Sequence, residues 1–159
     1  MRVYMLRHGQ AASRAGYESD ADRPLTDEGA EAMRREAVVI KALVQAVDAI
    51  VTSPYPRARQ TAEIVAQALG ATDHVLVDKR LAPGFSITEF EAVVREHEPD
   101  GAIMLVGHEP DFSETLSDAI GGGRLVMKKA GLARIDLPDH SVRRGELVWL
   151  APPAVLLGA

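Results

Sequence analysis

The 159-residue sequence has no cysteine, which excludes disulfides, thiol nucleophiles and thiolate metal sites and fits a reducing compartment. Long apolar runs are missing as well: the stretch from Ala102 to Val106 falls far short of the length that spans a bilayer. The apolar residues Val3 to Leu6 ahead of Arg7 are too few for the core of a signal peptide. Nor is there an excess of positive charge. With a net charge of -5 the chain has no general attraction to nucleic acid or anionic membrane, so any basic character that matters has to be local. These absences set the expectation of a cytoplasmic protein that binds neither nucleic acid nor membrane.

What is present is an ordinary globular composition, 47% hydrophobic and 26% charged, in a length that suits one domain over residues 1–159. Apolar runs of strand length alternate with segments of helical period, which predicts an α/β fold with a mostly parallel central sheet and helices on both faces. Strands are expected at Val3 to Leu6, Ala49 to Ser53, His74 to Val77 and Ala102 to Val106, followed by a β-rich end at Leu132 to Leu137 and Glu146 to Leu150. Thr26 reads as an N-cap, with Asp27 and Glu28 in the first turn of a helix that runs to about Val47 and turns Met33, Ala37, Ile40 and Val44 inward. A second helix follows Pro54-Tyr55-Pro56 and closes at Gly70, and Ser86-Ile87-Thr88-Glu89 opens a third that ends before Pro99. Pro110 starts a fourth, ending at Gly121-Gly122-Gly123. The polar stretch from Gln10 to Pro24 is too long for a minimal connection and is a candidate lid.

Three of these strands end in residues of one kind. Arg7 and His8 follow the first, Arg57 and Arg59 the second, and His108 the fourth. Strand ends of an open α/β sheet converge on one crevice, and arginines aimed at one place repel each other unless an anion lies between them. The guanidinium fork matches phosphate oxygens, so the expectation is a phosphoryl pocket. No Walker glycine loop is present, and His74, His97 and His140 lie in no metal-ligand spacing. Neither metal nor cofactor is expected. Histidine can itself attack phosphorus in line, with arginines stabilising the charge that a metal ion would otherwise hold. For that, His8 has to be neutral at its attacking nitrogen and bonded at the other, for which a backbone carbonyl of the following loop would serve. Gly9 is expected to let that loop turn tightly.

Leu6-Arg7-His8-Gly9, the run Thr52-Ser53-Pro54-Tyr55-Pro56-Arg57-Ala58-Arg59-Gln60-Thr61-Ala62, and Val106-Gly107-His108 resemble the signatures of the histidine phosphatase (phosphoglycerate mutase-like) superfamily, in the right order over nearly the whole chain. Arg23-Pro24-Leu25-Thr26, Leu81-Ala82-Pro83-Gly84, Gly107-His108-Glu109-Pro110 and Met127-Lys128-Lys129-Ala130-Gly131 are most similar to its small SixA-like phosphohistidine phosphatases. The resemblance implies that His8 is the phosphorylated nucleophile and that Arg7, Arg57 and His108 bind phosphoryl oxygens. It also implies a glutamate after the third strand as general acid in larger relatives, where this chain has Ala82-Pro83-Gly84-Phe85. An alkoxide leaves badly unless protonated, whereas the imidazole of a phosphohistidine can carry its own proton. The expected partner is therefore a phosphorylated protein, such as a histidine-phosphorylated signalling or phosphotransfer domain. A small phosphorylated metabolite, as for a sugar phosphate phosphatase, and a phospho-ligand binding module without turnover remain open.

Around this set, Gln10 and Ser13 are candidates to line the pocket, and Glu109 and Asp111 are candidates for a proton donor, though both carboxylates also suit the amino end of the next helix. Arg59 reads as a surface or salt-bridge residue rather than a ligand, and His74, His97 and His140 as plain histidines. Lys128 and Lys129 read as a solvated edge, with guidance of an acidic partner as the alternative.

Overall fold

A computed structural model describes residues 1–44, 46–97 and 100–158. The predicted alternation becomes a six-stranded sheet of order β3-β2-β4-β1-β5-β6. β1 (Arg2–Arg7), β2 (Ala49–Thr52), β3 (Val75–Val77) and β4 (Ala102–Gly107) run parallel. β5 (Leu132–Asp136) and β6 (Glu146–Ala151) extend the β1 side antiparallel. The third expected strand starts one residue late because Thr72–His74 form a 3-10 turn, and the second stops at Thr52, one residue before Ser53.

β1 is buried on both faces, and its side chains divide by parity. Val3 and Met5 join the core beneath α3 (Ile87–Val94) and α4 (Asp111–Ala119), while Tyr4 and Leu6 join the one beneath α1 (Asp27–Leu43) and α2 (Pro56–Leu69). Helices thus cover both faces, as expected. A short α5 (Pro153–Leu156) follows β6.

Local chemistry sets the helix ends. Thr26 caps α1, its hydroxyl accepting from Gly29 N–H at 2.9 Å. Gly29 itself allows a close approach: a Cβ there would lie 2.2 Å from the Gln10 carbonyl oxygen. The first turn of α1 therefore packs directly on the backbone leaving β1. The helix ends at Leu43, short of the expected Val47, and position 45 lies outside the described residues. Gly70 closes α2 at φ 70°, and Ser86 with Glu89 forms the expected capping box of α3, which stops at Val94; Pro99 lies outside the described residues. α4 begins at Asp111 with Pro110 as its N-cap and ends at Ala119, before the glycine triplet.

Strand order and register place the site. β4 lies between β1 and β2, with Arg7 opposite Gly107 and Thr52 opposite Val106. The next backbone steps continue the ladder, His8 N–H donating to Gly107 O and Ser53 N–H to Val106 O. His8, His108 and Ser53 are therefore the first residues past three adjacent strand ends.

Candidate active site

The pocket at these strand ends has a volume of about 320 Å³ and is lined by Arg7, His8, Ala11, Asp20, Arg23, Arg57, Pro83, His108, Glu109 and Lys129. Of the five residues noted after the strand ends, Arg7, His8, Arg57 and His108 reach it and Arg59 does not. The rings of His8 and His108 lie 5.2 Å apart.

His8 is held at both ring nitrogens. Its Nδ1 lies 2.8 Å from the Gly9 carbonyl oxygen, an atom that can only accept, so Nδ1 carries the proton. Nε2 is then a bare lone pair, which accepts from Arg57 Nε at 3.3 Å. Burial lowers the His8 pKa to about 4, and the charges of Arg57, Arg7 and Arg23 add to this against the opposing Gly9 bond. The ring is neutral at pH 7. The carbonyl acceptor is the one anticipated, but Gly9 serves for a different reason than the one expected. It does not adopt a positive φ; instead a Cβ there would meet the Met33 side chain at 2.8 Å, so glycine admits α1 against the loop.

Arg57 sits in the first turn of α2, where a cation opposes the helix dipole and calls for an anion. That anion comes from the segment between Gln10 and Pro24. Asp20 accepts from Arg57 Nη2 through its carboxylate at 2.8 Å and from Nη1 through its backbone carbonyl at 2.6 Å, and its other carboxylate oxygen pairs with Arg23 at 2.8 Å. Burial would raise the Asp20 pKa, but the Arg57 bond and charge, reinforced by Arg23, hold it below the usual carboxylate range. Ser19 fixes the short turn that carries it, accepting from Ala21 N–H. α2 anchors the same region a second time: Gly9 N–H donates to Thr61 Oγ1, whose hydroxyl donates to Arg57 O.

His108 bonds through Nε2 to Ser53 Oγ at 2.7 Å, and the Tyr55 ring meets it edge-on at 5.1 Å. The Arg57 guanidinium covers the Tyr55 ring at 5.0 Å. Burial, then His8 and Arg57, lower the His108 pKa to about 3. Gly107 before it admits Phe112, whose ring would lie 2.6 Å from a Cβ. Arg7 donates from Nη1 to Met127 O at 2.7 Å, and burial pulls its pKa down while Glu109 opposes the shift. Three buried nitrogens of pocket residues, Arg7 Nε, Arg23 Nε and His108 Nδ1, lack a partner among the described residues. Unpaired nitrogens of two arginines and a histidine around one pocket suit an oxyanion.

The remaining candidates divide. Glu109 lines the pocket, yet both its oxygens are engaged by Ser113, one by N–H at 3.1 Å and one by the hydroxyl at 2.7 Å. Asp111 accepts from Gly84 N–H at 2.8 Å and is not among the lining residues. Gln10 and Ser13 are exposed and do not line the pocket, although Gln10 accepts from Lys129 Nζ at 3.1 Å. Lys129, read as a solvated edge, does line it. Arg59 pairs with Glu63 on the surface, as read. Among the described residues no group of three or more His, Asp or Glu side chains is arranged to hold a metal ion, and no helix is long and apolar enough to cross a membrane.

A family model for the histidine phosphatase superfamily (branch 1) matches residues 3–83. An uncharacterised protein of Picosynechococcus sp. is 43% identical, covering 99% of both chains, and the phosphohistidine phosphatase SixA of Escherichia coli strain K12 is 30% identical, covering 98% of this chain and 96% of its own. The chain belongs to the histidine phosphatase superfamily. A solved structure of the protein histidine phosphatase SixA complexed with tungstate matches with a TM-score of 0.83 at 24% identity, over 97% of this chain and 98% of that one. A solved structure of the α-ribazole phosphatase of Shigella flexneri shares the fold, with a TM-score of 0.77 at 18% identity over 98% of both chains. Membership supports a hydrolase acting on phosphoryl groups, and leaves the substrate to be argued from the site.

Sequence reasoning missed Asp20, Arg23, Pro83 and the ring of Tyr55. The length of the Gln10 to Pro24 segment pointed to a lid, and the misplaced charge of Arg57 pointed to an anion. Joining the two clues required the folded chain.

Proposed function

We propose that the protein hydrolyses phosphohistidine on a partner protein through a phosphorylated His8. His8 Nε2 attacks phosphorus, a P–N bond to His8 forms as the bond to the leaving imidazole breaks, and that imidazole departs with its own proton. Water then attacks phosphorus, the His8 P–N bond breaks, and inorganic phosphate leaves with the proton balance of the water. Arg7, Arg57 and His108 hold the phosphoryl oxygens, and the guanidinium groups stabilise charge as a metal ion does in other phosphoryl transfers.

The observation that carries this reading is the bond from His8 Nδ1–H to Gly9 O, which leaves a neutral, bare Nε2 beside Arg57. The choice of a phosphoramidate rests on the carboxylates. Glu109 is bonded through both oxygens, Asp111 is turned to Gly84, Asp20 is held ionised by two arginines, and the loop after β3 contributes Pro83. A leaving group that supplies its own proton suits such a pocket.

The test is a substrate panel at pH 7 with chelator present, comparing a histidine-phosphorylated protein with sugar phosphate monoesters. Preferred turnover of the phosphohistidine, acid-labile phosphate trapped on His8, and loss of both in His8→Ala are expected. Faster monoester turnover would move the assignment to a small-molecule phosphatase. Binding without phosphate release would make it a phospho-ligand module, and normal turnover in His8→Ala would sink the mechanism.

A further inference from the structure

His8 and His108 face one pocket, and their second-nitrogen partners differ in kind. The Gly9 carbonyl at His8 can only accept a proton. The hydroxyl at His108 can donate or accept, so its direction decides which nitrogen of His108 carries hydrogen.

The hydrogen-bond inventory of Ser53 sets that direction. Ser53 is fully buried, and its Oγ accepts from Tyr55 N–H at 3.3 Å. Its other contact is His108 Nε2 at 2.7 Å, and no acceptor besides that nitrogen is in reach of its proton among the described residues. A donated Ser53 proton requires Nε2 to be a lone pair, and a neutral ring then carries its hydrogen on Nδ1. Nδ1 is buried and without a partner among the described residues. The unprotonated oxygens of a phosphoryl group offer only lone pairs, so the ring binds these oxygens through an N–H.

We propose that Ser53 is a positioning residue that donates to His108 Nε2 and so fixes His108 as the Nδ1–H tautomer, leaving that N–H as a donor for the phosphoryl group. Both histidines are then neutral with hydrogen on Nδ1, and they present opposite chemistry to the substrate: a lone pair from His8 Nε2 and an N–H from His108 Nδ1. Tyr55 serves the same end by holding the ring edge-on. The phosphoryl role of His108 rests on the function proposed above, whereas the tautomer does not.

The experiment is nitrogen-15 correlation NMR of the free protein at pH 7, with His108 assigned from its loss in His108→Asn. The expected pattern has Nδ1 protonated and Nε2 bare. An Nε2–H pattern in the wild-type protein overturns the proposal, even alongside full phosphatase activity, while an Nδ1–H pattern without phosphatase activity would overturn the function and leave the tautomer standing. In Ser53→Ala the ring should move toward the Nε2–H form, and the Kd for inorganic phosphate should rise roughly tenfold, as for a hydrogen bond to a charged group. Ser53→Thr, which keeps the hydroxyl, should restore both. Unchanged tautomer and phosphate affinity in Ser53→Ala would count against it.

Discussion

His8 in the pocket and Glu36 on α1 are similarly hidden from water, at 7% and 3% exposed, yet His8 has a partner at each ring nitrogen whereas Glu36 Oε2 has none among the described residues. Burial drives both groups toward their neutral forms. It lowers His8 to about 4 and raises Glu36 to about 7, with Arg35 opposing the latter shift. What separates a site from a buried charge is therefore not the perturbation but the partners, which at His8 select one nitrogen and aim it.

The two regions also respond to pH in opposite senses. Between pH 6.5 and about 4, or about 3 for His108, the unfolded chain binds protons at the histidines and the folded chain does not, so stability contributed by the pocket is lost on acidification. At Glu36 the folded pKa lies above the unfolded value of 4.5, so its contribution is complete below that pH and is lost as pH rises through about 7.

Removing a partner from the organised region should give the largest effect. Arg57→Ala takes away the donor beside His8 Nε2 and the anchor of Asp20, and kcat/KM for a phosphohistidine substrate should fall by about 10²–10³-fold. A loss below tenfold would show that the pocket does not depend on its pairing. In the unpartnered region the same logic reverses the sign. Glu36→Gln should stabilise the fold by about 1–3 kcal/mol at pH 8 and by much less at pH 4.5, read from urea unfolding at the two pH values. Destabilisation at pH 8 would reveal a partner for the carboxylate and collapse the contrast. The smallest effect is expected at Asp20, which stands on Arg57 where a phosphoryl oxygen would compete with it. Asp20→Asn weakens that competitor, and calorimetry should find inorganic phosphate bound about threefold more tightly, the scale of a partly exposed ion pair. Weaker binding would mean that Asp20 organises the arginines rather than competing for them.

Much of this was legible beforehand where the cause is local. Thr26 and Ser86 announced their helices because caps act within one turn, and the inward face of α1 followed from spacing alone. Glu36 was invisible because periodicity marks apolar positions, and a carboxylate among them reads as solvent-facing. Glu109 and Asp111 looked equivalent as proton donors. Their different partners, Ser113 within α4 and Gly84 on the β3–α3 loop, come from packing.

By itself the sequence determined that three strand ends carry arginine and histidine, and hence that an anion belongs there, since residue type and hydrophobic period are properties of short segments. Only the tertiary structure decided that β4 lies between β1 and β2, that Asp20 meets Arg57 across 37 residues, and that Ser53 meets His108 across 55. At His8 the free nitrogen is set by the neighbouring Gly9 carbonyl, whereas at His108 it depends on Ser53, brought from far along the chain, and no local pattern encodes that second choice.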